Sequence, residues 1–179
     1  MNGELRLYYL DESGFSPSLS VTWSWALTGQ RKAIPYENPK GRRVNALAVY
    51  EPYARTPQLQ WRLEPRTLKS ADLVALLATL VDDSLPVVVV MDNGSIHVSR
   101  DTQAALVGLG ELDLSVFRLP AYSPELNAIE RVFRTLKHHH MPERTYFTQE
   151  QLAAAVDRAF AQVALRLAQP SGQKLCEAA

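Results

Sequence analysis

The run Val87-Val88-Val89-Val90-Met91, stopped at once by Asp92-Asn93-Gly94, constrains this chain more than any other stretch. Five apolar residues with no polar residue among them leave neither face to water, as in a parallel strand buried on both sides. The Asp-Asn-Gly sequence that follows is a turn signal. A strand of that kind needs helices above and below it, and the flanking sequence supplies them. Over residues 68–83 the period becomes helical, with Leu73, Leu76, Leu77, Leu80 and Val81 on one face. Beyond the run, a helix is expected over 99–107, broken by Gly108 and Gly110, and a strand within 112–119.

Residues 4–11 read as a strand ending at Asp11, followed by a turn over 12–17. Further strands are expected at 21–26, 43–50 and 58–63. Ser123 is a good N-cap and Pro124 suits a first helical position. The stripe Leu126, Ile129, Phe133 and Leu136 then faces a core, with Glu130 at its edge a turn and a half inside the helix. Thr148-Gln149-Glu150-Gln151 is a capping box that opens a long helix through Leu152, Val156, Phe160, Val163 and Leu167. The order predicts an α/β protein: an antiparallel meander, then crossover units, in one mixed sheet flanked by helices. One domain is expected over residues 1–170, with a polar tail at 171–179.

The 19 basic and 19 acidic residues cancel, which argues against holding nucleic acid by bulk charge. The charge is unevenly spread, however, with nine Lys/Arg against three acids from Arg31 to Lys69. A single cysteine, Cys176, excludes an intramolecular disulfide and a cysteine zinc cluster and fits a reducing cytosol. The N-terminal residues show no secretion signal, and no apolar run nears the ~20 residues of a membrane span. A cytoplasmic protein is expected.

Asp11 and Asp92 each close a strand. An ionised carboxylate at the end of a buried strand is costly to leave unpaired. If the two strands are parallel neighbours, both acids reach the edge beyond the strands' carboxyl ends, where such sheets bind ligands. Glu130, on a helix packed against that edge, would complete a trio. Three close carboxylates repel one another unless a divalent cation neutralises them, and oxygen ligands suit Mg²⁺ or Mn²⁺. Two such ions ~4 Å apart serve phosphoryl transfer. Each acid also has a plainer role: Asp92 in an Asx turn, Asp11 as a turn former, Glu130 in a surface ion pair with Arg134.

Four blocks carry a resemblance to a known family: Leu10-Asp11-Glu12-Ser13-Gly14-Phe15, Trp25-Ala26-Leu27-Thr28-Gly29-Gln30, Met91-Asp92-Asn93-Gly94-Ser95-Ile96-His97, and Leu119-Pro120-Ala121-Tyr122-Ser123-Pro124-Glu125-Leu126-Asn127-Ala128-Ile129-Glu130. Together they resemble the IS630 transposases of the Tc1/mariner superfamily. The resemblance implies an RNase H-like, retroviral-integrase-type fold with a DDE triad of Asp11, Asp92 and Glu130. Glu12 and Glu125 are neighbouring acids outside that triad. It further implies two Mg²⁺ ions, replaceable by Mn²⁺, on the triad, and cleavage of transposon ends followed by strand transfer into target DNA. The protein would act as a homodimer on DNA in a bacterial cytoplasm. Ala128 stands where the family often has Pro, and the family's helix-turn-helix region is expected to be absent, Met1 lying ten residues before Asp11.

Within that frame Asn93 and Asn127 are expected to orient the carboxylates. Arg131, Arg134 and Lys137 are expected to meet DNA phosphates, with Arg42 and Arg43 as further contacts and Arg31, Lys32 and Lys40 beside them. Two other readings stand beside the transposase: a non-catalytic remnant that binds DNA or dimerises, and another RNase H-fold nuclease. His138, His139 and His140 are adjacent and cannot all face one ion from a helix, so they read as cations at a helix end. Trp23, Trp25 and Trp61 suit packing better than base stacking, and Ser13 with His97 lacks the third member of a hydrolase set.

Overall fold

The computed structural model describes residues 5–17, 26–30, 42–82, 84–141 and 145–169. The strand expected at 21–26 lies outside these residues except for Ala26, which is in no strand. Trp23, Trp25, Arg31, Lys32, Lys40 and the tail at 171–179 also lie outside them.

Five strands form one sheet in the order β3-β2-β1-β4-β5. β1 (Arg6–Phe15), β2 (Val44–Glu51) and β3 (Gln58–Glu64) are an antiparallel meander. β4 (Val87–Met91) and β5 (Leu114–Arg118) add parallel to β1 on its other side. The valine run is therefore an interior parallel strand, as its unbroken apolarity requires.

Alternation along the strands divides the core in two. On one face Tyr8, Leu10, Leu47, Val49, Val87 and Val89 pack with Leu73, Leu76 and Leu77 of α1 (Ser70–Ala78) and Leu109 of α2 (Arg100–Gly110). On the other, Phe15, Ala46 and Ala48 meet Ile129 and Phe133 of α3 (Ile129–Thr135) and the inner face of α4 (Gln149–Ala168). Phe160 is the centre of this second core: Trp61 stacks on it at 5.2 Å, and Phe15 and Phe133 meet it edge-on at 6.2 and 6.4 Å. The Thr148 hydroxyl accepts the Gln151 N–H at 3.2 Å, so the expected cap starts α4.

Three expectations are corrected. First, β1 does not turn after Asp11 but runs on to Phe15. Asp11–Phe15 pair with Ala48–Val44 of β2, and burial of Phe15 overrides the turn chemistry of Ser13-Gly14. The Arg43 guanidinium lies across the strand at Gly14, in the space a Cβ would take. Second, Gly108 and Gly110 do not break α2, which runs to Gly110. Both glycines face open space, and a helical glycine costs only about 1 kcal/mol.

Third, the helix carrying Glu130 starts later than Ser123-Pro124 predicts. Pro124–Leu126 form one 3₁₀ turn, the Ser123 side chain makes no cap, and Leu126 is exposed. The physical reason is Asn127, extended at ψ 105° and buried, whose amide is engaged by β1 and so interrupts the helical path. The buried stripe is Ile129, Val132, Phe133 and Leu136, and Glu130 lies in the first turn of α3. Beyond α3, Leu136–His140 widen into a turn of π geometry.

Candidate active site

The parallel ladder between β1 and β4 ends at Tyr9 opposite Val90. Asp11 and Asp92 each lie two residues further along, level with one another at the same edge of the sheet. Asp11 is thus within a strand rather than at its end: β1 continues with β2 alone after its parallel neighbour has turned away. α3 packs over β1 and brings Glu130 to this edge. The three acids line one cleft of about 370 Å³, together with Asn93, Gly94, Asn127 and the turn at 119–124. Tyr122 of that turn is fully exposed and holds a left-handed φ of 59°.

Asp11 is held at both carboxylate oxygens. Its Oδ1 accepts the Glu12 N–H at 2.8 Å, and its Oδ2 accepts the Asn127 side-chain N–H at 3.3 Å. Burial pushes its carboxyl up to about 7; the Glu12 N–H opposes the rise, and the charges of Asp92, Glu12 and Glu130 add to it. Asp92 projects into the cleft, half exposed. Its Oδ1 accepts the Gly94 N–H at 2.8 Å and lies 2.6 Å from His97 Nδ1. Among the described residues its Oδ2 has no hydrogen-bond partner. Glu130 makes no ion pair with Arg134, so the plain surface-pair reading of this residue is not realised.

The two asparagines differ. Asn127 reaches the Leu10 carbonyl at 3.2 Å as well as Asp11, and so ties the start of α3 to β1. Asn93 instead donates to the Leu119 carbonyl at 2.8 Å, joining the turns that follow β4 and β5 without touching a carboxylate.

From sequence, His97 reads only as a hydrolase partner of Ser13, and Glu12 only as an acid outside the triad; neither is joined to Asp92. The His97 ring has no exposure, and its Nε2 lies 2.9 Å from Glu12 Oε2, close enough for an ion pair though without hydrogen-bond alignment. Burial works against a charged ring, but Glu12 and then Asp92 outweigh it and raise the pKa. Arg118 donates to the carbonyls of Asp92 at 3.1 Å and His97 at 2.6 Å, clasping both ends of the turn. The available signal was the spacing of a histidine five residues after an aspartate on a turn, which alone does not predict contact.

The basic residues spread over several surfaces. Lys137 lies on the side of the acids: its ammonium is 5.4 Å above the Phe15 ring, and burial lowers its pKa against the pull of Glu130 and, more weakly, Asp11. Arg131 instead lines a separate cavity of about 600 Å³ with Tyr50, Tyr53, His140 and Arg166. Arg134 is exposed. Arg42 donates to the Phe147 carbonyl at 3.2 Å, and Arg43 lies against Gly14. His140 contacts Gln162 at 3.1 Å and Arg166 at 3.4 Å. Trp61, stacked on Phe160, donates to Asp157 at 2.8 Å, a packing role.

Among the described residues no three His, Cys, Asp or Glu side chains stand close enough to form a ready-made cation site. The donor set of the cleft still suits a hard divalent ion, since Asp11, Asp92 and Glu130 offer it carboxylate oxygens. Also among the described residues, no helix is long and apolar enough to cross a membrane.

A sheet of order β3-β2-β1-β4-β5 with β2 antiparallel, helices on both faces and acids at the β1–β4 edge is an RNase H-like fold. The chain belongs to the DDE superfamily endonuclease family, whose profile matches residues 6–153. It shares the fold of the catalytic domain of Mos1 mariner transposase, with a TM-score of 0.54 at 17% identity, covering 92% of this chain and 80% of that one. The Mos1 mariner paired-end complex with Mn aligns with a TM-score of 0.60 at 18% identity, covering 90% of this chain and 53% of that one. The catalytic core domain of BIV integrase aligns with a TM-score of 0.50 at 12% identity, over 88% of this chain and 82% of that one. The chain thus spans about half the length of the Mos1 chain in that complex. Curated protein sequences contain no match to it.

Proposed function

We propose that this chain is the catalytic domain of a Tc1/mariner-type DDE transposase that cuts transposon ends and joins them to target DNA. The observation that carries this reading is the parallel β1–β4 register, with Asp11 and Asp92 level at one edge and Glu130 in the same cleft. Asp11 and Asp92 would share the divalent ions, and Glu130 would hold the second. Bound there, Mg²⁺ or Mn²⁺ would activate the attacking oxygen and stabilise the leaving oxygen of a phosphodiester displacement.

The chain's own residues prepare that chemistry. Glu12 N–H and Asn127 hold the Asp11 carboxylate, and the Gly94 N–H holds Asp92. Lys137 supplies positive charge beside the acids for a DNA phosphate, with Arg134, Arg131, Arg42 and Arg43 further out. Mos1 complexes with bound ends support DNA as the partner, and the paired-end complex with Mn supports divalent-ion use. The finer assignment to IS630, the homodimer and a bacterial cytoplasm are supported by the sequence motifs alone.

Incubation of the full chain with supercoiled plasmid should give nicked circles in Mg²⁺ or Mn²⁺ and none in EDTA, and Glu130→Gln should abolish nicking with the fold retained. Nicking that survives EDTA or Glu130→Gln refutes the mechanism.

A further inference from the structure

Behind the cleft, the buried ring of His97 meets Asp92 and the carboxylate of Glu12, neither His97 nor Glu12 being part of the triad. Burying an imidazole is costly unless its nitrogens are satisfied. Here Nδ1 is hydrogen-bonded with Asp92 Oδ1 at 2.6 Å, and Nε2 stands 2.9 Å from Glu12 Oε2 in an ion-pair contact without hydrogen-bond alignment. The main chain at the root of the ring is held as well, since the His97 carbonyl accepts Arg118 at 2.6 Å and Gln103 at 3.2 Å. Residue 94 is glycine at the point of closest approach: a Cβ there would lie 3.1 Å from Asp92 Oδ1 and 3.4 Å from His97 Nδ1.

Asp92, by contrast, follows the last residue of β4 and is half exposed, so its side chain would be free to turn if nothing held it. The bonds from Gly94 N–H and His97 remove that freedom by engaging Oδ1. They leave Oδ2 for the cleft.

We propose that His97, braced by Glu12, is a positioning residue that fixes the Asp92 carboxylate with Oδ2 presented to a divalent cation. This rests on the reading of Asp92 as a metal-binding acid. The competing possibility is a histidine that fills the space between β1 and the turn after β4 and matters only for stability.

Substitution by the two amides separates the alternatives. The side-chain nitrogen of Asn stands where ring Nδ1 does, whereas that of Gln reaches the place of Nε2. Mn²⁺ binding to the metal-free full chain, measured by calorimetry without DNA, should stay within about threefold in His97→Asn. It should weaken about 10–100-fold in His97→Gln, the range for losing a group that orients a ligand. Melting temperatures taken alongside report stability separately. Equal weakening in both variants, or weakening in neither, overturns the proposal. If either variant fails to fold, Glu12→Gln takes its place: like His97→Asn it loses only the brace, so Mn²⁺ binding weakened about two- to threefold at unchanged melting temperature supports the proposal, and unchanged binding overturns it. Asp92→Asn tests the underlying reading. Undiminished Mn²⁺ binding there refutes Asp92 as a ligand, whereas loss there with full binding in His97→Gln refutes the positioning role alone.

Discussion

Replacing Asp11 by Asn should make the metal-free protein more stable while destroying its activity. Asp11 is largely removed from water and, to a lesser degree, faces the charges of Asp92, Glu12 and Glu130, which together raise its carboxyl from 3.8 to about 7. Between those two pH values the native chain keeps a proton that the unfolded chain has released, so this group's contribution to stability falls as pH rises through that window. At pH 8 the penalty approaches about 4 kcal/mol, at about 1.4 kcal/mol per pH unit. The amide is neutral and escapes it, but its N–H would face the Asn127 side-chain N–H that Asp11 Oδ2 now accepts, at a cost of about 1 kcal/mol. A net gain of about 3 kcal/mol remains, or roughly 1.5 M in urea midpoint at an m value of about 2 kcal/mol/M. Urea unfolding of both proteins in EDTA should show this gain at pH 8, a smaller one at pH 5 and almost none at pH 4. A variant that is less stable at pH 8, or whose gain is the same at every pH, would show that Asp11 carries no buried repulsion.

Other perturbations have distinct signatures. Saturating Mn²⁺ should raise the melting temperature of the native chain at pH 8 more than that of Asp11→Asn, since only the native chain relieves carboxylate repulsion on binding. Lys137→Ala should weaken DNA binding and reduce its salt slope by about 0.9; Arg131→Ala, whose side chain lines the other cavity, should change both less, as read by fluorescence anisotropy across a salt series. Phe160→Ala should destabilise the fold by about 3–5 kcal/mol in denaturant titration, because Phe160 is fully buried under three aromatic rings.

The sequence by itself determined the elements whose signals are local. The valine run became β4 at its expected bounds. Thr148 capped α4, and Leu152, Val156, Phe160 and Val163 are the buried face of that helix. Such features depend on neighbours a few residues away, and helix and strand periods record them directly. Asp92 was equally conspicuous as a carboxylate, because it follows a wholly apolar run.

What only the tertiary structure decided depends on partners far along the chain. β1 extends past Asp11 because β2 pairs with it, more than thirty residues later in sequence. α3 begins at Ile129 rather than after Ser123 because the Asn127 amide bonds to Leu10 and Asp11, |i−j| of 117 and 116 away. His97 meets Glu12 because β1 and β4 are neighbours in the sheet. Hydrogen bonds of that kind are enthalpic gains that appear only after the loops between the partners have closed, and no window of sequence contains both ends.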